Sequence, residues 1–257
     1  MKISKIILYN EPKVAEIQIE KIKQFVTDTC QIKVEMKDNF FENLDDKIFE
    51  KIASTRIFDL KKQFKKYIPT QEEIQIEKEN KDTSGQDIMT FYDGFELQNI
   101  ISENISIADN TLHIIFTTKL TVTFDNDDFR YHARALISSN PTIVSTTGII
   151  EAPAKPKQYY LDLMTNFSEE KIEEIKERYK GEFLEYHDSR LSGITEGYVL
   201  QAIMYYATGE AFCESKECRL FNSHWQKDLF YSQLENKKLC DKHQEKLKEL
   251  TNQVRID

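Results

Sequence analysis

The sequence contains few residues that break a regular chain and no long apolar run. Seven glycines and five prolines among 257 residues are too few for a disordered or low-complexity protein. No apolar stretch approaches the ~20 residues that span a bilayer. The apolar run at residues 6–9 is too short for the core of a signal peptide. We therefore expect an ordered, cytoplasmic protein with short loops, no targeting segment and no membrane partner.

An excess of basic residues is also missing. The formal net charge is −9 and the pI is about 5.3, which argues against a general binder of the phosphate backbone of nucleic acids. Apolar residues are not scarce, since they make up 40% of the chain and include 16 Phe and 12 Tyr. The chain can therefore bury a sizeable core.

Residue periodicity predicts a β-α-β opening. Residues 2–9 have the pattern of a strand, residues 13–29 carry apolar side chains near helical spacing, and residues 32–36 alternate as a half-buried strand does. This order is typical of parallel strands joined by a crossover helix.

The rest of the chain is predicted to form further strands and then mostly helices. Asn43 can cap a helix over residues 44–66, and the polar residues 70–87 predict an exposed connection. Strands are expected at 112–118, 120–124, 131–138 and 142–150. Helices are expected from Ser168 to about 185, at about 194–208, at about 223–234 and from about 241.

A single α/β domain over residues 1–257 accommodates all of these segments. Its expected parts are a β-α-β-α opening at 1–69, an exposed connection at 70–90, sheet and helices at 91–208, and a C-terminal segment at 209–257.

The C-terminal segment carries the most specific chemical pattern. Cys213 and Cys218 are separated by four residues, and Cys240 and His243 by two. Structural zinc sites use two such short-spaced pairs, because each pair supplies two ligands from one turn and the two turns complete a tetrahedron. Cytoplasmic thiols stay reduced, so clustered cysteines favour a metal over a disulfide. The alternative is a set of reduced core cysteines, which is also how we interpret Cys30 at a predicted helix end.

The motif around these cysteines resembles a known class of enzyme. Residues 209–220, GEAFCESKECRL, followed by Cys240-x-x-His243, resemble the end of the archaemetzincins, which are zinc peptidases with an HExxHxxGxxxC motif. Residues 130–134, 145–156, 197–203 and 222–226 are similar to signatures of an archaeal metallopeptidase-like family of unknown function. The resemblance covers roughly residues 110–245. It implies a metzincin-like fold, with a mixed sheet, packed helices and a structural zinc.

The same resemblance places unsuitable residues at the catalytic positions. With Gly209 and Cys213 at the motif's glycine and cysteine, the two histidine positions fall on Ala202 and Tyr206, and the glutamate position falls on Ile203. A peptidase zinc needs two imidazoles on one helix face and a carboxylate that activates water. The catalytic half of the pattern is therefore degenerate.

Two further positions depart from the family pattern. The region after the motif glycine, where a third ligand is expected, offers only Glu210, and the expected methionine is Leu220. The sequence thus retains the cysteines and histidine of the structural zinc site but not the residues expected to bind a catalytic zinc.

A second metal site is a weaker possibility. Besides His243 the chain has His113, His132, His187 and His224. A set of His132, His187, His224 and Glu151 has suitable ligand chemistry for zinc or iron, but scattered histidines lack the spacing that makes such a signal specific.

Two short segments have open interpretations. Thr146-Thr147-Gly148, expected at a strand end, could hold a ligand or simply bend the chain. The adjacent Tyr205 and Tyr206 are most simply packing aromatics.

Three functions remain open on this evidence. The first is a zinc-binding, metallopeptidase-like protein without classical peptidase activity that binds a peptide or protein segment. The second is a divergent zinc-dependent hydrolase with ligands outside the degenerate helix. The third, a nucleic-acid adaptor, has little support because Glu214, Glu217 and Asp241 flank the cysteines.

Overall fold

Strands and helices alternate through the described residues, which are 2–42, 44–79, 89–166 and 168–254 of a computed structural model. The strands are β1 (Lys5–Tyr9), β2 (Lys33–Lys37), β3 (Arg56–Ile57), β4 (Phe91–Asp93), β5 (Thr111–Thr117), β6 (Leu120–Asp125), β7 (Arg130–Arg134), β8 (Leu136–Ile137) and β9 (Thr142–Ser145). The helices are α1 (Ile19–Cys30), α2 (Asp46–Ala53), α3 (Gln71–Lys78), α4 (Gly94–Glu103), α5 (Thr146–Glu151), α6 (Lys157–Thr165), α7 (Glu169–Arg178), α8 (Leu191–Thr208), α9 (Gln226–Phe230) and α10 (Asp241–Val254). A 3-10 turn at Ala15–Ile17 precedes α1, and a π-helical turn at Tyr231–Asn236 continues α9. This alternation confirms the predicted α/β class with helices packed on mixed sheets.

The strands form two sheets. The first has the order β2-β1-β5-β9-β8, in which β8 alone runs antiparallel to its neighbour. The second has the order β3-β4-β6-β7, with β4 and β6 parallel. The predicted β-α-β opening is confirmed, because β1 and β2 pair in parallel on either side of α1 in sequence.

Alternating residues of β1 supply two hydrophobic clusters on opposite faces of the first sheet. Ile6 and Leu8 belong to the cluster that contains α1 and α8, whereas Ile7 and Tyr9 belong to the one that contains α2 and α4. The period of two is that of a strand buried on both faces. No helix within the described part of the chain is both long and apolar enough to cross a bilayer.

Two predicted strand segments are divided differently in the structure. The predicted strand 131–138 is split at Ala135, so that β7 lies in the second sheet and β8 in the first. The predicted strand 142–150 ends at Ser145, and α5 follows at once. The Ser145 hydroxyl accepts a hydrogen bond from the Gly148 N–H at 2.9 Å, which is an N-cap that β-propensity alone does not reveal.

The predicted helix 44–66 is wrong in both bounds. Helix α2 is capped by the Asp45 side chain, which accepts from the Lys47 N–H, and it ends at Ala53. The chain then forms β3 beside β4, and no helix follows before α3. The proposed cap Asn43 lies outside the described residues. Two other predicted helices also differ in the structure. Helix α7 ends at Arg178 and not near residue 185. The helix predicted at 223–234 consists of α9 followed by the π-helical turn.

The predicted connection at 70–90 is not wholly exposed, because it contains α3. Thr70 caps this helix through a reciprocal pair with Glu73, and Glu77 on its inner face is 2% exposed. The Glu77 carboxylate accepts hydrogen bonds from Arg56 Nη2 at 2.6 Å, from the Tyr92 hydroxyl at 2.8 Å and from Lys119 Nζ. This buried ionic network attaches α3 to the second sheet. Residues 80–88 lie outside the described part of the chain.

Replacing Glu77 by Gln should destabilise the protein by about 3 kcal/mol, because it leaves two buried cations without their shared anion. Burial alone would raise the pKa of Glu77. The charges of Lys119 and Arg56 lower it by more than burial raises it, so the pKa is below its ordinary value. The stabilisation is therefore present above the unfolded pKa of ~4.3 and is lost as the pH falls through the folded value. Urea unfolding at pH 7 and below pH 4 measures both effects.

Glu72→Gln is the matched control for this change, since Glu72 is exposed on the same helix. It should alter stability by no more than about 0.5 kcal/mol. Equal effects of the two substitutions would contradict the assigned role of the network.

Candidate metal centre and adjoining cleft

The structure brings the four predicted zinc ligands together. Cys213 and Cys218 lie in the loop after α8, Cys240 directly precedes α10, and His243 lies in the first turn of α10. Their ligand atoms all lie within 4.8 Å of one another. This convergence of residues about 30 positions apart gives a group that can hold a metal ion.

The distances within this Cys3His cluster suit a small tetrahedral cation. The Sγ atoms of Cys213 and Cys240 are 3.9 Å apart, and Cys218 Sγ lies 3.6 Å from His243 Nδ1. Zinc bonded to sulfur and nitrogen at its usual lengths places two sulfurs about 3.8 Å apart and sulfur and nitrogen about 3.6 Å apart. The contact from Cys240 Sγ to His243 Nδ1 is shorter, at 3.0 Å.

Backbone hydrogen bonds shape the two turns that carry the ligands. The Cys213 N–H donates to the Leu220 carbonyl at 2.8 Å, which closes the loop between the first two cysteines. The Ser215 N–H points to Cys213 Sγ at 3.4 Å. At the second pair, the His243 N–H donates to the Cys240 carbonyl at 2.9 Å. Hydrogen bonds within each turn therefore hold the two ligands of that pair in position without a metal ion.

The electrostatics of the cluster suit neutral imidazole and ionisable thiol ligands. Burial lowers the pKa of His243, and the nearby charges of Lys242 and Lys246 lower it further, so the imidazole is neutral at pH 7, which is the form that coordinates a metal ion. Burial raises the pKa of Cys218 to about 12. For Cys240, burial opposes ionisation, but hydrogen bonds from the His243 N–H and the neighbouring thiols lower the pKa overall. A bound cation would promote ionisation of all three thiols.

The positions that the resemblance assigns to catalysis are occupied by packing residues on α8. Ala202 and Ile203 are 0% exposed and belong to the core, and Tyr206 packs against it. Glu210 accepts hydrogen bonds from Lys242 at 3.0 Å and Lys246 at 2.8 Å, both on α10. Helix α8 itself contains no histidine or cysteine.

The weaker second set of ligands is not brought together. His132 contacts Asp128 at 2.9 Å, His187 contacts Glu16 at 3.2 Å, and Glu151 accepts from the Tyr186 hydroxyl at 3.1 Å. His224 lines a cleft described below. Among the described residues, His132 instead groups with Asp125 and Asp128 within 4.8 Å, and Asp128 also accepts from Arg130 at 2.6 Å.

The hydroxyls of the Thr146-Thr147-Gly148 segment serve the fold. Thr146 and Thr147 donate to the Thr117 and Thr118 carbonyls, at 3.1 and 2.7 Å. A side chain at Gly148 would lie 2.2 Å from the Arg134 carbonyl oxygen. The segment thus fixes α5 against the ends of the strands. This agrees with the interpretation of the segment as a bend in the chain and not with a ligand site.

A cleft of about 490 Å³ adjoins α8 and the outer strand β8. Its lining includes three aromatic residues from α8 and the following loop, Tyr198, Tyr205 and Phe212, and a polar group at 222–224. Tyr205 packs against the core, as expected from the sequence, and it also lines this cleft, which no sequence pattern above predicts. The seven-residue spacing of Tyr198 and Tyr205, which puts both on one helix face, is the signal that could have revealed it.

Comparison with known proteins identifies the class. The chain matches the family described as "probable metallopeptidase family" over residues 2–250. It belongs to that family, which confirms the metallopeptidase-like relationship suspected from the sequence.

Two solved structures are similar at 10% sequence identity. One is a zinc-dependent peptidase from Methanocorpusculum labreanum, with a TM-score of 0.44 over 95% of this chain and 99% of that chain. The other is an archaemetzincin from Methanopyrus kandleri, with a TM-score of 0.43 over 99% of this chain and 96% of that chain. No curated protein sequence matches significantly.

Replacing Cys218 or Cys240 by Ser should abolish metal binding at the cluster and loosen the C-terminal segment, because metal-binding energy is largely folding energy in such segments. We expect about one zinc ion per chain in the unaltered protein and none in either variant, with a lower melting temperature. Metal analysis and thermal unfolding measure the two effects.

Cys30→Ala provides the matched control. Cys30 is buried at the end of α1 and belongs to no metal group among the described residues. This variant should lose stability through a core cavity but keep its zinc. Zinc content that is unchanged in the Cys218 and Cys240 variants would contradict the assignment.

Proposed function

We propose that this protein is a zinc-stabilised, metallopeptidase-like protein that binds a peptide segment and lacks classical peptidase activity. The observation that carries the proposal is the burial of Ala202 and Ile203 in the core next to an open cleft on the same helix. The scaffold offers a groove without the imidazoles and carboxylate that would activate water there.

The proposed zinc has a structural role because four protein ligands surround it. A catalytic zinc keeps one position open for water or substrate, whereas a site with four Cys and His ligands is closed. Three thiolates also make the ion a weaker Lewis acid than a site of neutral imidazoles does. The cluster joins the loop after α8 to α10, so the ion supports the wall of the cleft and does not face it.

The proposed peptide site is the cleft along β8. This strand is the last in the first sheet, and an extended segment can add to such an edge through backbone hydrogen bonds. Tyr198, Tyr205 and Phe212 supply apolar contact area. Asn222, Ser223 and His224 supply hydrogen-bonding groups at the same cleft. Strand addition requires no metal.

A divergent zinc hydrolase is the second candidate. The group formed by Asp125, Asp128 and His132 offers carboxylate and imidazole ligands outside α8. Against this, Arg130 already contacts the Asp128 carboxylate, and its positive charge opposes a bound cation. The peptide-binding candidate requires one metal ion per chain and no peptide cleavage, whereas the hydrolase candidate requires a second metal ion and peptide cleavage.

Zinc-loaded protein should therefore contain about one zinc ion per chain and should not cleave a diverse pool of unstructured peptides. The assay compares cleavage with and without a chelator. Chelator-sensitive cleavage that persists in Cys240→Ser but disappears in His132→Ala would establish the hydrolase instead. A second zinc ion that is lost on the His132 substitution would point the same way.

Peptide binding should depend on Tyr205 but not on its neighbour Tyr206. Tyr205 lines the cleft, whereas Tyr206 is absent from its lining. Aromatic side chains are enriched among the few contacts whose truncation costs more than about 1 kcal/mol of binding energy, so Tyr205→Ala should weaken peptide capture by about tenfold.

Tyr206→Ala is the matched control and should leave affinity within about twofold. The measurement is fluorescence anisotropy with members of a random extended-peptide library that the unaltered protein retains. Equal affinities of the two variants, or retention of no peptide at all, would contradict the proposed site.

A further inference from the structure

A second cavity, of about 630 Å³, lies at the opposite edge of the first sheet, beside β2. It is lined by residues from β1, the end of β2 and the loop that follows it, the segment 104–106 after α4, and β5. Its volume is within the ~300–1,000 Å³ range of small-molecule sites. The proposed peptide cleft and the Cys3His cluster contribute none of its lining.

His113 is the unusual residue in this lining. It is 2% exposed in the middle of β5, and its Nδ1 lies 3.1 Å from the Tyr9 hydroxyl. Burial, followed by the charges of Lys37 and Lys5, lowers the pKa of His113, with Glu35 acting in the opposite direction. The imidazole is therefore neutral at pH 7.

The contact with Tyr9 indicates the tautomer. Burial, aided by Glu35, raises the pKa of Tyr9, so the phenol keeps its proton and can donate it to His113 Nδ1. The phenol has no other acceptor within the described residues. With the phenol as the donor in this contact, the ring hydrogen is on Nε2, which is then a hydrogen-bond donor.

This Nε2 is a buried polar atom without a hydrogen-bond partner in the described part of the chain. Buried donors are rarely left unsatisfied, since desolvation without a partner is costly. A buried, unpaired donor on the lining of a cavity indicates that an acceptor from outside the chain completes the site.

The remaining lining defines what that acceptor can be. Lys37 brings a positive charge and lies 5.6 Å from the Tyr9 ring centroid, but Asp38 follows it directly. The lining has one cation and one carboxylate, and its neutral donors are the side chains of His113, Asn39, Asn104 and Ser106. A single cation beside a carboxylate suits a singly charged anion better than a doubly charged phosphate. The side chains of Tyr9, Phe40 and Ile105 give the cavity an apolar part.

We propose that this cavity binds a small organic acid, whose carboxylate accepts from His113 Nε2 and pairs with Lys37 while its apolar body lies against Tyr9 and Phe40. The site is independent of the proposed peptide binding and of zinc. The class of ligand follows from the neutral donors, the single cation and the aromatic wall.

The test uses phenylacetate as the probe and phenylacetamide as its uncharged isostere. Long-range ¹H–¹⁵N spectra of the imidazoles in the full chain should first show the Nε2–H tautomer for His113. Phenylacetate at millimolar concentration should then shift the Nε2 resonance of His113, while phenylacetamide should not. No shift with phenylacetate, or equal shifts with both compounds, would overturn the proposal.

Lys37→Gln keeps the proposal testable even if His113 variants fold poorly, because Lys37 is exposed. It should weaken phenylacetate binding about threefold, as expected for a partly exposed ion pair. Lys33→Gln, at the exposed start of the same strand, is the matched control and should leave the affinity unchanged. Equal effects of the two substitutions would show that net charge and not this site attracts the anion.

Discussion

Helix α8 has to be buried on nearly all sides, and this requirement determines how the sheet and the C-terminal segment pack around it. From Leu191 to Met204 this helix is apolar on nearly every side, so the first sheet alone cannot cover it. The C-terminal segment covers the remainder: Arg219 donates to the Gly193 carbonyl and to Glu196 on α8, and the π-helical turn approaches Gly197 so closely that a side chain there would overlap Gln233. The segment that carries the Cys3His cluster thus also covers the central helix.

The same constraint connects the retained metal cluster with the degenerate motif. Gly209 ends α8 with φ at +80°, a conformation that glycine adopts without strain, and the chain turns there towards Cys213. A helix with imidazoles at 202 and 206 would need an open face for metal and water, whereas this one encloses Ala202 and Ile203 completely. Those positions serve packing in this chain, and the Cys3His cluster lies beyond the turn, in the segment that covers the helix.

Local patterns predicted the parts of the fold that local interactions determine. The β-α-β opening, the start of α7 at Ser168 and the grouping of Cys213, Cys218, Cys240 and His243 all follow from spacing within short segments. Elements fixed by distant partners could not be predicted in this way. The passage between sheets at Ala135 and the burial of Glu77 depend on contacts with Ser145 and with Lys119, which are remote in sequence. For the same reason the cleft and the His113 cavity, each assembled from several segments, leave little trace in the sequence.

The topology of the first sheet determines how the two proposed binding sites relate. The cavity takes its lining from β2, β1 and β5, and the cleft takes part of its lining from β8, so only β9 lies between them in the first sheet. At the usual strand spacing β5 and β8 are about 10 Å apart, which is near the separation beyond which mutational effects usually become additive. The intervening residues Ile114, Ile143 and Val144 are fully buried, and a densely packed sheet changes shape little. A ligand at one site can therefore act on the other through the buried core of β9 or along α4, because Phe95 near the start of α4 lines the cleft and Asn104, the residue that caps its end, lines the cavity. Helix α4 and strand β9 thus connect the two proposed sites.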